Sequence, residues 1–265
     1  VSVQAAYDKA KAENRAALVG YLPAGFPSFD GAVKAATAMV EGGCDVIEIG
    51  LPYTDPLMDG PTIQDAVHRA LEGGVRLAEV FRTVEAVAAT GVPTLVMTYW
   101  NPVDRYGVDR FSRELKDAGG AGLITPDLTP EEAGEWFEAA DKYDLDKVFL
   151  VALSSSEERI KKITSVCRGF VYAASLMGVT GARTAIDTGA AGLVARTKAH
   201  TSLPVGLGLG VSNGAQAAEV AAFADGVIVG SAFIRRLLDA PTEAEGLTSV
   251  RDLAAELAEG VRKGR

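Results

Sequence analysis

Short runs of aliphatic and β-branched residues recur along the chain, at 17–22, 45–51, 93–99, 121–125, 147–152, 169–173, 203–207 and 225–229. Each is followed by a segment long enough for a helix, the alternation expected of βα units that carry a parallel sheet. Capping residues punctuate several helix starts: Thr129-Pro130-Glu131-Glu132, Ser155 with Glu158, and Ser212-Asn213. Eight units suit a closed barrel, because a doubly wound open sheet usually stops at about five or six strands and carries a single Gly-rich nucleotide turn. The pattern therefore predicts an α/β fold, a (β/α)₈ TIM barrel forming one domain over residues 1–265. Further helices are expected at 3–15 and 250–263, both packed on the outside. No linker, charge run or low-complexity stretch divides the chain.

Composition narrows the function classes. Hydrophobic residues make up 48% of the chain, enough for a large core, and Gly at 29 of 265 positions implies tight turns and close backbone approaches. A formal charge of −9 argues against a nucleic-acid or anionic-membrane binder, since both need clustered Lys and Arg. Residues 1–15 lack an apolar signal core and nowhere do 18 apolar residues run together, so a cytoplasmic protein is expected. Cys44 and Cys167 are isolated, and His68 and His200 sit in helical-looking stretches, which disfavours a metal site or a Ser/His triad.

The second strand carries the first chemical signal. In Asp45-Val46-Ile47-Glu48-Ile49-Gly50, alternation turns Ile47 and Ile49 toward the helices and leaves Val46 and Glu48 facing into the barrel. A carboxylate there costs several kcal/mol unless paired, hydrogen-bonded or neutralised, and desolvation raises its pKa toward the range useful for proton transfer. A structural Glu bonded to polar groups of the barrel is the other reading. The loop after this strand, residues 51–62, lies where barrels build their reaction sites. It offers Asp59, which precedes Gly60-Pro61 and equally suits a turn, and Asp55, for which the turn role is preferred.

Gly-bearing segments follow strands six, seven and eight: Gly178-Val179-Thr180-Gly181, Gly206-Leu207-Gly208-Leu209-Gly210 with Ser212, and Gly230-Ser231-Ala232. Barrels commonly bind phosphate after strands seven and eight, where backbone N–H groups and a helix N-terminus meet the anion. The 206–210 run lacks the position and spacing of a dinucleotide fingerprint.

Taken together, Ile47-Glu48-Ile49-Gly50-Leu51-Pro52-Tyr53-Thr54-Asp55-Pro56 and Met58-Asp59-Gly60-Pro61-Thr62-Ile63-Gln64 closely resemble the signature of the tryptophan synthase α subunit family. The resemblance spans essentially the whole chain, through Met97-Thr98-Tyr99-Trp100-Asn101-Pro102, Pro126-Asp127-Leu128 and Tyr172-Ala173-Ala174-Ser175. It implies a lyase of tryptophan biosynthesis that reversibly cleaves indole-3-glycerol phosphate into indole and glyceraldehyde 3-phosphate. On the matching positions Glu48 moves protons and Asp59 accepts the indole N–H, supported by Tyr172 and by Thr180 of a mobile loop at about 178–187. Gly181, Gly210, Gly230 and Ser231 would hold phosphate, and Tyr21, Tyr99, Leu128, Leu150 and Leu209 would line an indole pocket. No cofactor is implied in this chain; pyridoxal phosphate belongs to the β subunit that consumes indole in an α₂β₂ complex.

Leu153 stands where the family pattern has Pro, and Leu176 where it is usually more polar. Other readings remain: a weakly catalytic paralogue that mainly activates a β partner, a stand-alone lyase releasing indole, or another phosphate-binding barrel enzyme such as a sugar-phosphate isomerase.

Overall fold

The computed structural model describes residues 2–175 and 188–265. All eight expected strands form: β1 (Ala17–Pro23), β2 (Val46–Gly50), β3 (Thr94–Met97), β4 (Gly122–Ile124), β5 (Asp146–Val148, resuming as Leu150–Ala152), β6 (Val171–Ala174), β7 (Val205–Gly208) and β8 (Gly226–Val229). They pair in parallel and in chain order, and β8 returns to β1 with Ala17 opposite Gly226. β5 pairs β4 through its first half and β6 through its second. Its interruption at Phe149 therefore leaves neither neighbour without a partner.

Strand parity sorts the core into two layers. Val46, Leu95, Ile124, Val148, Phe170 and Ile228 point inward into one cluster, whereas Ile47, Ile49, Val96, Leu123, Val171, Leu207 and Val227 pack outward against the helices. Each of these apolar side chains is buried and contributes about 1.5–3 kcal/mol on leaving water. The helices are α1 (Gln4–Ala12), α2 (Phe29–Gly42), α3 (Pro61–Glu72), α4 (Leu77–Ala88), α5 (Trp100–Tyr106), α6 (Val108–Asp117), α7 (Gly134–Tyr143), α8 (Glu157–Val166), α9 (Thr188–Lys198), α10 (Gly214–Ala221), α11 (Ser231–Leu238) and α12 (Glu243–Lys263).

Four details depart from the sequence reading. The N-terminal helix does not pack on the outside: Val3, Tyr7 and Ala10 of this segment join the inner cluster and form the barrel floor. Their i, i+4, i+7 spacing makes one apolar stripe, and the Ser2 hydroxyl and Val3 amide dock it by donating to the buried Asp146 carboxylate at 2.9 and 2.8 Å. The C-terminal helix does lie outside, packed on α2 and α10, but starts at Glu243 because Thr242 caps it. Thr129-Pro130 opens only a 3₁₀ turn, Pro130–Glu132, before α7 begins at Gly134. Ser156, not Ser155, caps α8 by accepting from the Arg159 amide, while Ser155 accepts from the Ala152 amide instead. Asn213 caps α10 as expected.

Candidate active site

The inward-facing residues at the C-terminal ends of the strands surround a cavity of about 320 Å³. Glu48 stands at its base, paired in register with Tyr21 of β1 and Leu95 of β3. The Glu48 side chain is wholly buried, and neither carboxyl oxygen has a hydrogen-bond partner among the described residues. The bonds to polar groups of the barrel that a structural Glu would make are not found among the described residues. Burial alone pushes the Glu48 carboxyl up to about 8, which keeps it protonated at neutral pH.

Two tyrosines bracket it. Tyr21 lies across β2 because Gly50 has no side chain; a Cβ there would collide with the tyrosine hydroxyl. Tyr172 on β6 occupies the space that Gly208 leaves open on β7, where a Cβ would stand 2.6 Å from its hydroxyl. Burial raises both phenols, and negative charge raises them further, from Asp59 and then Glu48 at Tyr21 and from Glu48 at Tyr172.

Asp59 borders the same cavity from the β2–α3 loop. Its Oδ1 accepts from the Tyr99 hydroxyl at 3.2 Å, that hydroxyl accepts from the Met58 amide at 2.9 Å, and the Asp59 carbonyl accepts from the Gln64 side chain at 2.6 Å. Tyr99 stands at the N-cap of α5, with its ring 5.7 Å from that of Tyr53. Partial burial raises the Asp59 pKa, and the Tyr99 hydrogen bond opposes that rise. Asp55 is exposed and takes the Thr54 hydroxyl at 2.7 Å, a local turn contact.

Gly210, Gly230 and Ser231 line the rim of the cavity together. Gly210 adopts φ of 83°, a conformation that suits glycine. Ser231 is the first residue of α11, whose N-cap Gly230 supplies no side chain to its first-turn amides. Gly210 and Ser231 also border a neighbouring cavity of about 620 Å³ that holds Arg235 and Arg236. The helix end favours an anion at the rim, while the two guanidiniums share their cavity with Asp239 and Glu245.

Of the residues singled out for an apolar pocket, Tyr21, Leu150 and Leu209 line the cavity. Tyr99 supports Asp59 from behind, and Leu128 is buried in the outer core cluster. Thr180, Gly181 and Leu176, with the 178–187 loop, lie outside the described residues. Met58, Gly60, Ile63, Met97, Ala174, Ser175, Gly208 and Ile228 complete the lining without having been singled out as site residues. Strand parity marks Met97, Gly208 and Ile228 as inward-facing, so their signal was present; Ile63 on the first turn of α3 carried none. Among the described residues no group of three His, Cys, Asp or Glu side chains is placed to hold a metal ion.

A family model described as tryptophan synthase alpha chain matches residues 7–262. The tryptophan synthase alpha chain of Streptomyces coelicolor is 62% identical over 254 residues, covering 96% of this chain and 94% of that protein. A solved Mycobacterium tuberculosis tryptophan synthase structure superposes with a TM-score of 0.91 at 54% identity, covering 98% of both chains. A chain of the tryptophan synthase complex from Pyrococcus furiosus does so at 0.83 and 33%, covering 92% of this chain and 98% of that one.

Proposed function

The chain belongs to the tryptophan synthase alpha chain family, and from that premise we propose how the barrel mouth performs the family's reaction. The alpha chain cleaves indole-3-glycerol phosphate reversibly into indole and glyceraldehyde 3-phosphate, and its indole passes to a tryptophan synthase β subunit in an α₂β₂ assembly. In this reading Glu48 is the proton-transfer group and Asp59 its electrostatic partner. The protonated Glu48 carboxyl gives its proton to indole C3, which places positive charge on the ring system. Asp59 accepts a hydrogen bond from the ring N–H and stabilises that cation. The bond from C3 to the glycerol chain then breaks, its electron pair restoring the aromatic ring. The adjacent hydroxyl becomes the aldehyde and returns its proton to Glu48, so no net proton is consumed.

Tyr21, Leu150 and Leu209 supply apolar contact for the ring, and Tyr172 walls the side of Glu48 away from β1. The phosphate sits on the rim at Gly210, Gly230 and Ser231, where the α11 N-terminus offsets its charge. This chemistry needs only acid, base and hydrogen-bond groups, and pyridoxal phosphate is assigned to the β partner. The partner's docking face is proposed to include Leu57 and Met58, beside Asp59, and Leu153, beyond β5. These large apolar side chains are exposed on the site's face of the barrel, at 75, 46 and 44%. Among the described residues no helix is long and apolar enough to cross a membrane, and a cytoplasmic location completes the proposal.

One observation carries the assignment: a fully buried carboxyl with no hydrogen-bond partner among the described residues, raised by burial to about 8, opening onto the same cavity as a second carboxylate held by a tyrosine. Its test is steady-state cleavage of indole-3-glycerol phosphate by the wild type, Glu48→Gln and Asp59→Asn, each alone and with a β subunit. Each substitution is expected to lower turnover at least about 10²-fold with the fold intact. Near-normal turnover in either variant removes that residue from the mechanism. High turnover that a β subunit leaves unchanged would instead mark a stand-alone lyase.

A further inference from the structure

The Tyr7 hydroxyl has no place in the reaction just described, yet its surroundings are built around it. Tyr7 rises from the floor helix α1 into the barrel. Its ring lies 5.2 Å from that of Phe170, and Phe170 lies 6.2 Å from Tyr172, so three rings climb from the floor to the wall of the cavity. A phenylalanine would serve that packing equally well. The hydroxyl oxygen is enclosed and has no hydrogen-bond partner among the described residues. Gly206 and Gly226 make room for it: a Cβ at either would stand 2.8 or 2.5 Å from the oxygen. Enclosing a hydroxyl without a partner is unfavourable, and replacing it with hydrogen would relieve that cost.

The oxygens of Glu48 share this condition. Glu48 stands two residues beyond Val46, which packs in the same inner cluster as Tyr7. Among the carboxylates whose ionised form raises the Tyr7 phenol, Glu48 acts most strongly, ahead of Asp225 and Asp45. Asp225 is paired with Lys198 and Arg265, and Asp45 with Arg15, whereas no ion pair to Glu48 occurs among the described residues. The titratable groups facing Glu48 are Tyr21 from β1, Tyr172 from β6 and Tyr7 from α1. Asp59 approaches the same cavity from the β2–α3 loop.

We infer that Tyr7 is a positioning residue for Glu48, its hydroxyl donating through one enclosed water to the carboxyl from the floor side. A buried water needs two to four polar partners, and these enclosed groups answer each other. With one oxygen engaged from below, the proton resides on the oxygen that faces the cavity, where substrate takes it. The inference rests on the reading of Glu48 as the proton-transfer group, and its test keeps the two separate.

The test is Tyr7→Phe, which retains the ring. Carbon-13 NMR of labelled glutamate carboxyls, with the Glu48 signal assigned by its loss in Glu48→Gln, follows the titration directly. Removing a donor to the carboxylate raises its pKa, so the Glu48 midpoint is expected to move up by about half to one unit. The pH at which turnover falls on the alkaline side moves with it, and kcat at neutral pH drops roughly three- to tenfold with KM within about twofold. An unchanged Glu48 midpoint overturns the inference and leaves Tyr7 as packing. A midpoint that moves while Glu48→Gln stays active upholds the link between Tyr7 and Glu48 and sinks the proton-transfer reading instead.

Discussion

Tyr99 donates its hydroxyl hydrogen to Asp59 across 3.2 Å, and because it also accepts the Met58 amide, one side chain at the β3–α5 corner fixes two successive residues of the site loop. Tyr99→Phe removes both contacts without emptying the space. The loss of a hydrogen bond to an ionised group, about 1.5 kcal/mol, should lower kcat/KM roughly 10-fold. That bond opposes the rise of the Asp59 pKa, so the acid limb of the rate profile should also move to higher pH. An acid limb that stays in place in Tyr99→Phe would show that something else holds Asp59.

The wild-type profile follows from two carboxyls raised by burial. In the proposed mechanism Asp59 acts ionised, and it lies above its ordinary value of 3.8; Glu48 there acts protonated and is pushed up to about 8. The value of kcat/KM should therefore climb as Asp59 loses its proton and fall above about pH 8 as Glu48 loses the proton it must donate. In Asp59→Asn the acid limb should vanish while the alkaline limb remains. A wild-type alkaline limb near pH 5 would mean that Glu48 does not have the environment described.

The rim is tested at Gly210. Nothing lies within 4 Å of a Cβ added there, but φ of 83° strains any L side chain by about 1–2 kcal/mol. Gly210→Ala should relax by turning its peptide away from the anion, raising KM about 10-fold while kcat changes less. Ser231→Ala, which loses one hydroxyl donor, should show the same split. Inhibition by glycerol phosphate, a probe without the indole ring, should weaken in parallel. A kcat defect at constant KM would place the phosphate elsewhere.

Local periodicity made the barrel legible, because every strand alternates between an inner and an outer layer and the parity of Val46, Ile47, Glu48 and Ile49 follows from that alone. It also gave Glu48 its burial. What periodicity could not supply was the direction in which an amphipathic helix turns its stripe. Val3, Tyr7 and Ala10 fit an outer layer as well as a floor, and the choice is made by the Asp146 carboxylate, which lies far along the chain. Asp59 was legible only as a loop carboxylate, since its fixed position depends on Tyr99, 40 residues away. The roles of Gly50 and Gly208 were hidden for a related reason: each is small on account of a tyrosine on another strand.

The burial of Glu48 should also be readable in stability. The folded chain holds the Glu48 proton up to about pH 8, whereas the unfolded chain releases it near 4.5. Between those values the folded state binds more protons, so raising the pH favours unfolding, and the full cost is reached above pH 8. A displacement of this size corresponds to at most ~5 kcal/mol, less whatever the barrel recovers by relaxing around the charge. Glu48→Gln keeps the shape and removes the titration. Its melting temperature should lie close to that of wild type at pH 5 and exceed it by a margin that widens to several degrees, on the order of 5–10 °C, by pH 9. Calorimetric scans of both proteins from pH 5 to 9 measure that margin. A constant difference across the range would show that Glu48 is not held neutral in the fold, and with it would go its proposed role as the group that protonates the indole ring.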